Sequence, residues 1–161
     1  MDDLAVIERQ LGRPPRGVLG VAARCPWGRP AVVRQAAYLE GGEPFPTTYY
    51  LTCPHAVSAL SAVEAAGGVD RYERLVAAGD GAASSYRWGR ERQRTLRAPA
   101  ATMLDAGASL DTGIAGAVRD GAVKCLHAHA AFALAEPGYQ LGRSMLADAA
   151  PLYPAAECCC P

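Results

Sequence analysis

The sequence predicts an α+β fold, with a small antiparallel N-terminal sheet packed on several helices. Apolar, β-branched or aromatic runs occupy 17–25, 31–39 and 47–52, the composition of half-buried strands. Pro26-Trp27-Gly28-Arg29-Pro30 separates the first two with turn chemistry, because proline fixes φ and glycine permits φ > 0. From Pro54 onward the apolar positions recur at helical spacing instead.

Residues 2–12 place Leu4, Ala5, Ile7 and Leu11 near helical spacing, with Asp2 and Asp3 in the N-terminal turn, where acids are favoured. Gly12-Arg13-Pro14-Pro15 ends that helix. Strands over 17–25 and 31–39 form a hairpin with Cys25 at its neck, and a loop through Gly41-Gly42-Glu43-Pro44 leads to a third strand over 47–52. That strand runs into Cys53-Pro54, and proline at a first helical position marks a helix continuing through Ala56, Val57, Leu60, Val63 and Ala66 to Gly67-Gly68. Residues 69–104 read as helical and polar, broken near Gly79-Asp80-Gly81. The stretch 106–121 reads as a loop, 123–135 as an Ala-rich helix ended by Pro137-Gly138, and 141–149 as a short last helix.

The chain has 161 residues, half of them hydrophobic, which suffices for one core. It is read as one domain over 1–150 with a flexible Cys/Pro tail over 151–161. Sixteen basic residues balance sixteen acidic ones, so nucleic acid is an unfavoured partner. No stretch approaches 18 consecutive apolar residues, and the acidic first residues lack the pattern of a signal peptide. A cytoplasmic protein without membrane contact is expected.

Six cysteines in such a chain point to ligands or reactive thiols rather than disulfides. Three lie in the tail as Cys158, Cys159 and Cys160, leaving Cys25, Cys53 and Cys125 in the body. Two of the three histidines follow closely in Val123-Lys124-Cys125-Leu126-His127-Ala128-His129, where Lys124 is the one Lys beside fifteen Arg. Cys25 at a turn, and Cys53 and Cys125 at helix starts, are expected to converge with a histidine on one metal. On a regular helix Cys125 and His129 share a face at i, i+4. With Cys125 as the N-cap, its non-helical backbone would aim it together with His127, so both imidazoles stand as candidates. A set of three thiolates and one imidazole suits structural zinc, with an iron–sulfur cluster as the alternative.

Arg24-Cys25-Pro26, the run Phe45-Pro46-Thr47-Thr48-Tyr49-Tyr50-Leu51-Thr52-Cys53-Pro54 and Lys124-Cys125-Leu126-His127-Ala128-His129 resemble the signature blocks of the family called domain of unknown function 501. The resemblance extends from the first helix to about Arg143 and implies that the three cysteine blocks belong to one site. It brings no established activity. Ala131-Phe132, the segment after Pro137 and the cysteine tail depart from the family pattern.

Other features are read more plainly. His55 is expected as a solvated first-turn residue, and Asp105, Asp111 and Asp120 as loop acids. Thr112-Gly113-Ile114-Ala115-Gly116 lacks the Gly-Lys-Ser/Thr ending of a phosphate loop. Arg71 to Arg97, interleaved with Tyr72, Tyr86 and Trp88, is read as an exposed helical face and the surface for a protein partner. Two functions follow. One is a metal-stabilised adaptor. The other is a metal- or thiol-dependent enzyme using Cys53 or Cys125 with His127 or His129, no catalytic residue being assigned.

Overall fold

The computed structural model describes residues 2–100 and 110–159. Helix α1 spans Asp3–Leu11; strands β1, β2 and β3 span Val18–Arg24, Pro30–Gln35 and Tyr49–Leu51. Helices α2 to α6 follow as Pro54–Ala65, Gly68–Ala78, Asp80–Arg97, Leu126–Ala135 and Gln140–Asp148. The sheet is antiparallel in the order β1-β2-β3, with Val33 opposite both Val21 and Tyr50. The expected α+β architecture is therefore present, with shorter strands: the second ends at Gln35 instead of Leu39, and the third begins at Tyr49. Among the described residues no helix is long and apolar enough to cross a membrane.

Local chemistry accounts for the boundaries that position the site. Cys25 closes the hairpin by donating N–H to the Arg29 carbonyl and accepting from Gly28 N–H, with Gly28 at φ 77°. Cys53 is the extended N-cap of α2 and Pro54 its first helical residue, where the missing N–H costs nothing. Gly79, at φ 95°, separates α3 from α4; a left-handed backbone there ends one helix before the next begins.

Helix α5 is the centre of the molecule. It is apolar on nearly every side, with Leu126, Ala128, His129, Ala130, Ala131, Phe132 and Ala133 all buried, as expected of a helix packed all round. Phe132 meets Tyr49 edge-on at 5.3 Å and Tyr139 at 5.6 Å. Full burial of such a side chain contributes about 2–3 kcal/mol.

Helix α6 lies so close to α5 that Gly142 has no room for a side chain. A Cβ there would stand 2.5 Å from the His129 carbonyl oxygen and 2.7 Å from Ala133 Cβ. Gly142→Ala should therefore destabilise the protein by about 2 kcal/mol despite alanine's better helix propensity, because a backbone carbonyl cannot swing aside. Urea denaturation measures this; a more stable variant would mean that the two helices can separate.

The arginine-bearing helix α4 is anchored by Tyr86, which is 3% exposed and donates its hydroxyl hydrogen to the Ala122 carbonyl, while Trp88 remains 42% exposed. Its cations face intramolecular partners: Arg90 meets Asp120, Arg92 meets Glu136, Arg94 meets Glu91 and Asp111. Buried Arg97 donates to the Phe45 carbonyl at 2.6 Å. Asp111 and Asp120, read as loop acids, thus serve as counter-charges. Asp105 and Cys160 lie outside the described residues.

The chain beyond 150, expected as a flexible tail, packs Leu152, Tyr153, Cys158 and Cys159 against the core. The Leu152 carbonyl lies 3.0 Å from His55 Nδ1, so His55, read as solvated, contacts this segment.

Candidate metal centre

The turn before α5 determines where Cys125 points. Lys124 adopts φ 58°, and Cys125 N–H donates to the Val123 carbonyl two residues back at 2.6 Å. Cys125 itself is extended, at φ −151°, and acts as the N-cap. A left-handed backbone is unfavourable for any residue with a Cβ, by roughly 1–2 kcal/mol. Among the described residues the exposed Lys124 side chain reaches the Gly116 carbonyl, at 3.4 Å. Lys124→Gly should accordingly leave stability unchanged or raise it by up to about 1 kcal/mol, as thermal unfolding would show. A loss above about 1 kcal/mol would mean that the lysine side chain is itself required.

Because α5 starts only after Cys125, the thiol and His127 share one side of the helix start. Cys125 Sγ lies 3.8 Å from His127 Nδ1, and that nitrogen lies 3.1 Å from Glu64 Oε1. The ligand atoms of Glu64, Cys125 and His127 all fall within 4.8 Å of one another. Glu64 comes from the last turn of α2 and also accepts the Leu126 N–H at 2.6 Å, satisfying a donor that a helix start leaves without a partner.

The other imidazole nitrogen is fixed from behind. His127 Nε2 faces the Val57 carbonyl at 3.1 Å, with Ser61 Oγ also at 3.1 Å. A carbonyl only accepts, so Nε2 carries a hydrogen; when the ring is protonated Nδ1 carries a second and donates it to the Glu64 carboxylate, and that is the hydrogen an ion would displace. The nearby Cys125, the Glu64 charge and the Val57 carbonyl hold the imidazole pKa up at about 9, against the lowering effect of burial.

The remaining expected ligands are placed elsewhere. His129 is fully buried, with Nε2 donating to the Val123 carbonyl at 3.0 Å and Nδ1 accepting from the Tyr139 hydroxyl at 2.6 Å. Burial holds its pKa down at about 4. Both its nitrogens are engaged, so it serves the core. Cys25 is buried at the hairpin neck, and Cys53 Sγ faces Cys159 Sγ at 3.5 Å. Neither joins the group formed by Glu64, Cys125 and His127.

Glu64 was missed at the level of sequence, although a signal exists. It is an acid in the final turn of a helix whose C-terminal end favours cations, and it stands in register with Val57 and Ser61 at helical spacing.

A cavity of about 440 Å³ opens beside the group, lined by Cys125 and His127 together with Tyr49, Tyr50, Val57 and Ala115. Two edges of the donor set are close to those of a single small ion. With zinc–ligand bonds of about 2.0–2.3 Å, tetrahedral geometry separates sulfur from nitrogen by about 3.6 Å and nitrogen from oxygen by about 3.4 Å. The observed 3.8 and 3.1 Å lie close to these edges.

In comparison with known proteins, the model of the family described as "Protein of unknown function (DUF501)" aligns with residues 21–146. No curated protein and no solved structure matches the chain.

Proposed function

The chain belongs to the DUF501 family of unknown function, and from that premise we propose that it binds one divalent transition ion, zinc by preference, through Glu64, Cys125 and His127. The observation that carries this reading is the direction of the His127 ring. Nδ1 is turned to a thiol and a carboxylate while Nε2–H is held by the Val57 carbonyl, the outer contact that fixes tautomer and orientation in metal-binding histidines. One nitrogen, one sulfur and one oxygen donor suit zinc; a cluster would call for more thiolate.

Three protein ligands beside a cavity favour a metal-dependent enzyme over a closed structural clamp, since structural sites complete their fourth position with protein. An ion held this way supplies Lewis acidity at its open position. The chain's own residues orient the site: Val57 and Ser61 hold His127, the Lys124 turn aims Cys125, and Tyr49, Tyr50 and Ala115 shape a largely apolar approach. The adaptor reading draws less support, because the cations of α4 face intramolecular partners.

Elemental analysis of the purified protein tests the proposal. About one zinc per chain is expected. Cobalt exchanged into the site should give a thiolate-to-metal absorption band that disappears in Cys125→Ser. Iron with sulfide, or undiminished metal in a variant combining Cys125→Ser with Glu64→Gln, would overturn it.

A further inference from the structure

We propose that Cys53 and Cys159 form a reversible disulfide, a modification site that ties the C-terminal segment to the start of α2. Their sulfurs stand 3.5 Å apart, against about 2.05 Å in a disulfide, so a small side-chain movement closes the bond. The pairing is built into the packing on both sides. Cys53 is the N-cap of α2, and the approaching segment is held by the contact between Leu152 and His55. The Tyr153 hydroxyl is buried with no hydrogen-bond partner among the described residues. It lies within electrostatic reach of Cys53, Cys25 and Cys159. Tyr153 and Cys159 both pack against the buried cluster that contains Cys25 and Cys53, which seats the segment beside the Cys53 thiol.

Cys53 and Cys159 meet as a pair of sulfurs, and among the described residues the group of three ligand atoms within 4.8 Å is Glu64, Cys125 and His127.

Exposure assigns the order of events. Cys159 is half-buried and reachable from solvent, whereas Cys53 is 1% exposed, and burial pushes its thiol up to about 11. Cys159, as thiolate, therefore attacks one sulfur of a low-molecular-weight disulfide such as oxidised glutathione. One small thiolate leaves, and Cys159 holds a mixed disulfide. Cys53 then gives up its proton to the departing group and attacks the Cys159 sulfur, releasing the second small thiol. Two protein thiols are oxidised and one small disulfide is reduced to two thiols, so electrons and protons balance.

The site uses none of Glu64, Cys125 and His127, so it stands or falls separately from the metal reading. The test equilibrates the full-length protein with oxidised and reduced glutathione, quenches by alkylation and maps the crosslinks by mass spectrometry. Because 158–160 are adjacent cysteines, three forms are compared: the unmodified protein, a variant combining Cys158→Ser and Cys160→Ser, and Cys159→Ser.

The expected result is a 53–159 crosslink in the first two, absent in Cys159→Ser and reversed by dithiothreitol. Closing so long a loop should raise Tm by roughly 5–15 °C. The proposal is overturned if Cys53 remains fully alkylatable after denaturation while Cys159 carries glutathione. An equal crosslink from Cys53 to Cys158 in Cys159→Ser also overturns it.

Discussion

His129→Ala should lower the free energy of unfolding by about 3–5 kcal/mol without removing bound metal. Three effects add in this substitution. It removes a fully buried ring, and large-to-small changes in a core cost roughly 2–5 kcal/mol. It leaves the Tyr139 hydroxyl, itself in a fully buried residue, without its acceptor. It also takes the donor from the Val123 carbonyl, and each unsatisfied buried group costs roughly 1–3 kcal/mol. Partial collapse of the site keeps the total below the sum.

The neutral state of His129 adds a pH signature. Its pKa is about 4 in the fold and about 6.5 in an unfolded chain. Between those values the unfolded state binds more protons, so stability is complete above about 6.5 and declines as pH falls toward 4. Urea denaturation across that range, on the unmodified protein and the variant, measures both effects. A loss below about 1 kcal/mol at neutral pH would contradict the buried pair.

His127→Ala should do the opposite. The imidazole is only partly buried, with 22% of its side chain exposed, and its loss leaves no large cavity. Replacement of contacts outside the ligand set commonly weakens metal binding 10–100-fold; removal of a ligand should weaken it at least about 100-fold. Competition with a chromophoric chelator reads this directly. If His127→Ala and His129→Ala both retain metal in full, neither imidazole is a ligand and the proposed site is wrong.

The two histidines show how far the sequence could be read. The hairpin at Cys25, the Cys53-Pro54 helix start and the Pro137-Gly138 helix end were legible, because proline, glycine and apolar periodicity act locally. Whether Cys125 opens the helix or lies within it was not legible. That depends on Lys124 adopting a left-handed backbone, which tertiary packing imposes on a residue type with no preference for it. Glu64 was hidden because a lone acid in a small-residue helix looks like a solvated side chain until α5 arrives beside it. The contact of Cys159 with Cys53 spans 106 positions, a separation at which no local pattern operates.

Helix α2 carries residues of both proposed sites on one rod of twelve residues, about 18 Å long. Cys53 caps its first turn, and Val57, Ser61 and Glu64 reach the His127 side. If the proposed ion binds, any displacement of this rod on closing the 53–159 bond would change its affinity by some factor. Thermodynamic reciprocity then requires the bound ion to change the equilibrium of that bond by the same factor. With both proposed sites occupied, the thiol pair would serve as a gauge of metal occupancy, readable from the ratio of small thiol to small disulfide at which half the molecules are crosslinked.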